Sequence, residues 1–100
     1  MTNNTPLITR ETLTSDGWVS TQSREEGDTY EMYTHPTLTS IWEESERQRG
    51  ETYPDTPYLT IEDETGDITG EMRFIDTLTT PDNVESHLQR VREVVETGII

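Results

Sequence analysis

Two histidines, His35 and His87, carry the side chains in this sequence that are best suited to acid–base chemistry. Imidazole changes its charge nearest to neutral pH, so a histidine can act as a general acid or base when a reacting group lies within reach. The sequence contains no glycine-rich phosphate loop, nucleophile elbow or dinucleotide-binding fingerprint. We therefore expect a protein without catalytic activity or a cofactor. A small enzyme that uses His35 or His87 is an alternative.

Four carboxylates cluster near the middle of the chain, at Glu62, Asp63, Glu64 and Asp67. Calcium takes several oxygen ligands from a flexible loop, so this group is the best candidate for a metal site. The spacing differs from that of an EF-hand loop, and thiolate zinc sites are excluded because the chain has no cysteine. We interpret the cluster as part of an acidic surface and expect no metal site.

The charge of the chain is strongly negative, with 21 acidic and 7 basic residues and a net charge of −14. This excess would repel a phosphate backbone, and the pairs Arg47, Arg49 and Arg90, Arg92 are surrounded by glutamate. We therefore expect no direct binding to nucleic acid. A compact polyanion can instead occupy the basic groove of a DNA-binding or nuclease protein, so an acidic nucleic-acid mimic is a second alternative.

The composition is similar to that of proteins from extreme halophiles such as haloarchaea and their viruses. The chain has no lysine and no alanine, and it is rich in threonine. The similarity implies a habitat and no activity. A dense carboxylate surface repels itself at low salt, whereas the Debye length falls to about 3 Å at 1 M salt. We expect salt-dependent folding in a high-salt cytoplasm or in a virus particle assembled inside a cell.

No apolar stretch approaches the roughly 18 residues that read as a membrane span. The N-terminus also lacks a basic segment followed by an apolar one, which is the pattern of a secretory signal. We therefore expect no association with a membrane.

The best-marked element is a β-hairpin over residues 57–75, because apolar side chains alternate along both arms. The face predicted to be buried holds Leu59, Ile61, Ile68, Gly70, Met72 and Phe74. A polar turn at residues 64–67 connects the arms and would place Ile61 opposite Gly70. A slip of one residue would turn the apolar side chains of one arm to water, so the pattern predicts a defined register.

The other face of this hairpin is predicted to be a contact surface for a partner protein or a second copy of the chain. It presents Tyr58, Thr60, Glu71 and Arg73, with Tyr58 placed opposite Arg73. Tyrosine, tryptophan and arginine are enriched at binding hot spots, and Trp42 is therefore a further candidate. The other interpretation is a solvated sheet face with an ordinary cross-strand pair.

Two helices are predicted before the hairpin. Thr9 is a suitable N-cap for a short helix that ends at Gly17. Residues 37–49 favour a helix, with Ser40 and Glu43 at the spacing of a capping box. The alternative for this segment is a third strand followed by a polar loop, because threonine, isoleucine and tryptophan have high β-propensity.

A second hairpin is predicted between these two helices. Its strands cover residues 18–22 and 28–34. In the second strand Tyr30 and Met32 are expected to point inward, because they alternate with polar or solvent-facing positions. The pattern leaves open whether Trp18 or Val19 faces the core.

A C-terminal helix over residues 81–97 is the strongest prediction for a single element. Thr80 is a good N-cap and Pro81 occupies the favoured first position. An apolar stripe recurs at helical spacing at Val84, Leu88, Val91 and Val95, widened by His87 and Val94. This amphipathic helix should lie across one face of the sheet.

These elements predict an α+β fold, in which a small antiparallel β-sheet of two hairpins and four to five strands is packed on one face by the C-terminal amphipathic helix. Residues 1–7 are expected to form a flexible tail, and residues 8–100 a single small domain. The expected function is a non-enzymatic protein-interaction or regulatory module of a halophilic archaeon or its virus.

Overall fold

The computed structural model of the protein describes residues 8–21, 27 and 29–100. In chain order the elements are α1 (Arg10–Ser15), β1 (Val19–Ser20), β2 (Tyr30–Thr34), α2 (Pro36–Gln48), β3 (Tyr58–Glu62), β4 (Ile68–Glu71) and α3 (Val84–Thr97). The four strands form one antiparallel sheet in the order β1-β2-β3-β4. The predicted α+β fold is confirmed. The predicted tail, residues 1–7, lies outside the described residues.

The core lies between one face of this sheet, called the inner face below, and the helices. One cluster of buried side chains contains Leu13, Trp18, Tyr33, Leu38, Leu59, Ile61, Ile68, Met72, Val84, Leu88, Val91 and Val94. All three helices and the inner face contribute to it, so burial of apolar surface holds the layers together. In the described part of the chain, no helix is long and apolar enough to cross a membrane.

The β3–β4 hairpin has the predicted faces but a different register. The Glu62 N–H donates to the Asp67 carbonyl at 2.9 Å, so the loop is residues 63–66 and not residues 64–67. Ile61 consequently lies opposite Ile68 instead of Gly70. The predicted register is therefore wrong by two residues. Because side chains alternate with a period of two, a two-residue shift leaves the apolar set on the inner face.

Strand β4 is shorter than the arm predicted to reach Ile75. It ends at Glu71, because the backbone of Arg73 takes a positive φ of 69°. The Phe74 N–H donates to the Met72 carbonyl at 2.8 Å, which closes a three-residue turn around Arg73. Met72 remains fully buried although it lies beyond the strand.

The prediction that Tyr30 and Met32 point inward is wrong. Tyr33 is the buried residue of β2, with 2% of its surface exposed, whereas Tyr30 is 40% exposed on the opposite face. The Tyr33 ring is buried while its hydroxyl meets Glu31 and Arg10 at the rim, which removes the cost of burying that polar group.

In the same hairpin, Trp18 and not Val19 faces the core. Trp18 is 2% exposed and Val19 is 52% exposed. The outer ends of the two predicted strands, Gln22 and Asp28, lie outside the described residues.

Helix α1 is confirmed, with Thr9 as its N-cap and Gly17 after its end at a φ of 97°. The helix favoured for residues 37–49 is also confirmed. It begins earlier than predicted, however, because the His35 Nδ1 accepts a hydrogen bond from the Leu38 N–H at 3.1 Å. The predicted capping box at Ser40 is therefore wrong, since that position lies inside the helix.

Helix α3 is confirmed but begins at Val84, three residues later than predicted. The Asn83 side-chain oxygen accepts from the Thr80 N–H at 2.8 Å, and the Asn83 N–H donates to the Thr80 carbonyl at 3.1 Å. These bonds hold residues 81–83 in a turn, so Asn83 and not Thr80 occupies the N-cap position. Val94 is fully buried on the stripe.

Candidate interaction surface

The face of the sheet opposite the core, called the outer face below, is crossed by a row of three side chains, one apolar and two bearing hydroxyl groups. Met32 lies opposite Thr60, and Thr60 lies opposite Thr69. The Thr60 and Thr69 hydroxyls are 2.9 Å apart and share a hydrogen bond. The centre of the outer face is therefore flat and able to form hydrogen bonds.

A groove of about 710 Å³ runs over this face. Its floor comes from β2, β3 and β4, and one wall comes from residues 78–80, which follow β4 in the chain. The larger lining side chains are Tyr30, Met32, Tyr58, Glu62, Asp67, Glu71 and Leu78. The volume lies within the range of about 300–1,000 Å³ that is typical of ligand sites.

The wall is joined to the edge of the sheet by an isolated β-bridge between Gly70 and Thr79. The Thr79 N–H donates to the Gly70 carbonyl at 2.8 Å, and the Gly70 N–H donates to the Thr79 carbonyl at 3.1 Å. Leu78, beside this bridge, keeps 62% of its surface exposed. The bridge thus fixes an exposed apolar side chain at the rim of the groove.

The structure brings together the four hairpin residues that the sequence singles out. Tyr58 lies opposite Glu71 in the ladder and not opposite Arg73. The turn at Arg73 nevertheless carries its guanidinium over the Tyr58 ring, 5.6 Å from the ring centroid, and an ion pair joins Arg73 to Glu71. Thr60 lies two residues along the same strand. The guanidinium and the ring thus form a cation–π contact at one end of the groove.

Trp42 does not lie on the outer face. It is 9% exposed within α2, and its indole N–H donates to the Asp55 carbonyl at 2.6 Å. The Asp55 carboxylate lies 3.9 Å from the Arg73 guanidinium. The hydrogen bond from Trp42 therefore supports the connector before β3, which also carries the Asp55 carboxylate near Arg73.

Sequence reasoning did not place several of the larger groove residues on this face, namely Tyr30, Met32, Glu62, Asp67 and Leu78. The sequence predicts Tyr30 and Met32 in the core, and it indicates the two carboxylates only as a metal site or as general surface. Alternation along β2 gives no signal that separates Tyr30 from Tyr33, because both residues are aromatic and they lie on opposite faces of the strand. No local pattern indicates Leu78, since its place depends on the long-range bridge at Thr79.

Both histidines are buried, and each of their four ring nitrogens has a hydrogen-bond partner. His87 is 5% exposed, with Nδ1 at 2.8 Å from the Thr79 hydroxyl and Nε2 at 3.3 Å from the Thr77 hydroxyl. Burial lowers the pKa of His87 below its usual value. The Nε2 of His35 lies 2.8 Å from the Asp16 carbonyl and donates to it, since Nδ1 accepts from α2. These bonds give both histidines structural roles.

Every arginine in the described part of the chain forms an ion pair with a carboxylate. The pairs are Arg10–Glu31, Arg47–Glu44, Arg49–Glu46, Arg73–Glu71, Arg90–Glu93 and Arg92–Asp16. The described residues contain no group of three or more histidine, aspartate or glutamate side chains arranged to hold a metal ion. The described arginines are thus already engaged within the chain, which leaves the surplus of negative charge on the surface.

Comparison of the chain with protein-family models, with curated proteins and with solved structures finds no significant match. Inference about function therefore depends on the geometry and charge of the groove.

Proposed function

We propose that this chain is a non-enzymatic protein-interaction or regulatory module that binds a partner protein along the groove of its outer face. One observation carries the proposal: the described helices pack on the inner face, while the groove presents Tyr30, Met32, Tyr58 and Leu78 with part of their surface open. Partly exposed aromatic and apolar side chains in a groove are typical of a site that is covered by a partner.

The proposal includes a halophilic setting, in the high-salt cytoplasm of an archaeon or in the particle of its virus. No described aspartate or glutamate is buried, so the carboxylates spread over the surface. Such a surface repels itself strongly at low ionic strength and is screened near molar salt.

The experiment that tests the proposed function is affinity capture from a high-salt lysate, followed by measurement with the purified partner. The Met32→Ser, Tyr58→Ser double variant should lose at least ten-fold in affinity, because it removes the apolar contacts on the groove floor. Tyr53→Ser is the matched control, since Tyr53 is 90% exposed and is not among the groove residues. Equal binding by both variants would contradict the proposal.

An acidic nucleic-acid mimic is a second candidate, favoured by the surface carboxylates that no described arginine neutralises. In that case the captured partner would be a DNA-binding or nuclease protein, and this chain would displace DNA from it. Competition between the chain and a labelled duplex for the purified partner separates the two candidates. Displacement of the duplex supports mimicry, and simultaneous binding of both excludes it.

A further inference from the structure

We propose that the groove binds an extended segment of a partner protein that carries an arginine or lysine, and that this cation lies beside Tyr30, Glu62 and Asp67. The inference rests on the proposed function and specifies the chemistry of the partner. Three observations carry it: the register that brings these side chains together, the lack of a counter-ion for them in the described chain, and the dimensions of the groove.

The register aligns the three side chains across neighbouring strands. Tyr30 lies opposite Glu62 on β2 and β3, and the 2.9 Å bond between the Glu62 N–H and the Asp67 carbonyl places Asp67 opposite Glu62. Neighbouring strands are about 4.8 Å apart, so the two carboxylates are close enough to repel each other. A cation between them would convert this repulsion into attraction on both sides.

The described chain supplies no cation to this place. Each described arginine is paired with a carboxylate other than Glu62 and Asp67, and no basic residue of the described part of the chain lines the groove. Glu62 accepts a hydrogen bond at 3.3 Å from the Thr29 hydroxyl, which carries no charge. The described residues contain no group of three or more histidine, aspartate or glutamate side chains that could hold a metal ion here. Charge complementarity with the two carboxylates favours a positively charged side chain of a partner.

The exposed ring of Tyr30 also favours a positively charged side chain in the groove. It is 40% exposed beside Glu62, so its ring can meet a guanidinium or ammonium group. A cation over a tyrosine ring gains from the ring quadrupole, and arginine uses this contact more often than lysine. At the other end of the groove Arg73 already makes such a contact with Tyr58.

The length of the groove fits an extended segment. From Tyr58 to Glu62 the floor follows β3 for about 13 Å, at about 3.3 Å per residue. A segment of about four extended residues covers this distance. Its cation would lie at the Glu62 end, and its apolar side chains would contact Met32 and Tyr58.

A second copy of the chain is a poorer occupant than a different protein. It would bring another net charge of −14 towards an acidic groove, and its described arginines are already paired. Charge complementarity therefore favours a partner that is basic where this chain is acidic.

The test uses three synthetic eight-residue peptides of alternating valine and serine, with arginine, citrulline or glutamate at the fifth position. Binding is measured at 1 M KCl by NMR titration of the ¹⁵N-labelled chain. The arginine peptide should bind at least five-fold more tightly than the citrulline peptide, which has the same shape without the charge. The largest shifts should occur at Tyr30, Glu62 and Asp67.

The Glu62→Gln, Asp67→Asn variant should bind the arginine and citrulline peptides equally. Glu85→Gln, Glu96→Gln removes the same two charges from the exposed face of α3 and should keep the preference for arginine. The first variant should also melt at a higher temperature than the parent, because it relieves the repulsion, and this readout shows that it has folded.

Three results would overturn the inference: equal affinity for the arginine and citrulline peptides, no binding of any peptide, or groove shifts that grow with protein concentration alone. The last result would identify a second copy as the occupant. None of these depends on the partner captured from the lysate. Loss of capture by the Met32→Ser, Tyr58→Ser variant together with equal peptide affinities would keep the proposed function and reject the cation.

Discussion

The rim of the inner face and the Glu62 end of the groove on the outer face differ in how their charged side chains are paired. At the rim of the inner face, Arg10, Glu31 and Tyr33 form a closed network. The Tyr33 hydroxyl donates to the Glu31 carboxylate at 2.5 Å, and the Arg10 Nε lies 2.9 Å from the Tyr33 oxygen and 2.8 Å from Glu31. At the Glu62 end of the groove, Glu62 and Asp67 lie opposite each other, and no arginine in the described part of the chain pairs with either of them. The paired carboxylate of Glu31 stabilises the fold, whereas Glu62 and Asp67 are the carboxylates that we propose bind the cation of a partner.

The network also changes the proton affinity of its members. The hydrogen bond from Tyr33, followed by the interaction with Arg10, holds the pKa of Glu31 below its usual value against the opposing effect of burial. Burial is the main cause that raises the pKa of Tyr33, and the bond to Glu31 adds to it. The inner face thus keeps Glu31 charged and Tyr33 neutral over a wide pH range.

Trp18 differs from this network, because its buried polar group is not hydrogen-bonded within the described part of the chain. The indole N–H of Trp18 is buried and has no hydrogen-bond acceptor among the described residues. The Trp18 ring instead packs against the His35 ring in an edge-to-face arrangement, with centroids 5.4 Å apart. A buried donor without an acceptor costs about 1–3 kcal/mol, so burial of the large Trp18 ring must offset this cost.

The largest difference in stability between the two faces is expected at Leu88, which is fully buried on α3. Leu88→Ala should lower the free energy of unfolding by about 2–5 kcal/mol, because it leaves a cavity between the helix and the inner face. Leu78→Ala at the rim of the groove is the control and should change it by less than about 0.5 kcal/mol. Denaturant unfolding of both variants measures the difference, and similar midpoints would show that the two faces are not distinct in energy.

Salt concentration should have the next largest effect on stability, because salt screens the charges on the protein surface and leaves the core unchanged. The Debye length shortens from about 30 Å at 0.01 M to about 3 Å at 1 M salt, so the repulsion among carboxylates is relieved as KCl is added. Thermal unfolding followed by circular dichroism should show a midpoint that rises with KCl. The Glu62→Gln, Asp67→Asn variant should depend less steeply on salt. A midpoint that stays constant would remove the support for halophilic adaptation.

The pH dependence of stability should separate the contributions of His87 and Glu31. The pKa of His87 is lowered in the fold, so the unfolded chain binds its proton first and stability falls as the pH drops below about 6.5. The pKa of Glu31 is also lowered, so its contribution is present above about 4.5 and is lost below that value. His87→Gln should remove the first decrease and leave the second. Unfolding curves between pH 7.5 and pH 3.5 test both windows, and an unchanged first decrease in this variant would exclude His87.

The smallest expected effect on stability is at the groove floor. Met32→Thr should change the free energy of unfolding by about 0.5 kcal/mol, because Met32 lies on the outer face and remains partly exposed. The same variant should weaken binding of the arginine peptide several-fold. A loss of stability comparable to that of Leu88→Ala would show that the outer face is part of the core.

Much of the inner face could be predicted from the sequence, because apolar residues recur at the spacing of a strand in the hairpin and at the spacing of a helix in α3. Alternation in the β3–β4 hairpin places Leu59 and Ile61 on one side, and the helical spacing of α3 identifies Leu88. The register could not be predicted, because loops at residues 63–66 and 64–67 have equal length and both contain Gly66. Only the backbone bond from Glu62 to Asp67 distinguishes them.

The groove was less predictable because its parts are distant in the sequence. In β2, Tyr30 and Tyr33 are both aromatic and lie on opposite faces, so the period alone does not decide which is buried. The positive φ of Arg73 has no local signal, since glycine usually occupies this conformation. The place of the wall at Leu78 depends on long-range contacts, among them the bridge from Thr79 to Gly70.

The bridge between Gly70 and Thr79 also shortens the stretch of the β4 edge at which a strand of another molecule could pair. The free side of an edge strand presents unpaired N–H and C=O groups that can template another strand. Here both main-chain groups of Gly70, in the middle of β4, are already bonded to Thr79. A side chain at Gly70 would place its Cβ 2.2 Å from the Tyr58 carbonyl, so a larger residue would displace the strand. At the opposite edge β1 is only two residues long, which offers too short a template for stacking copies of the sheet.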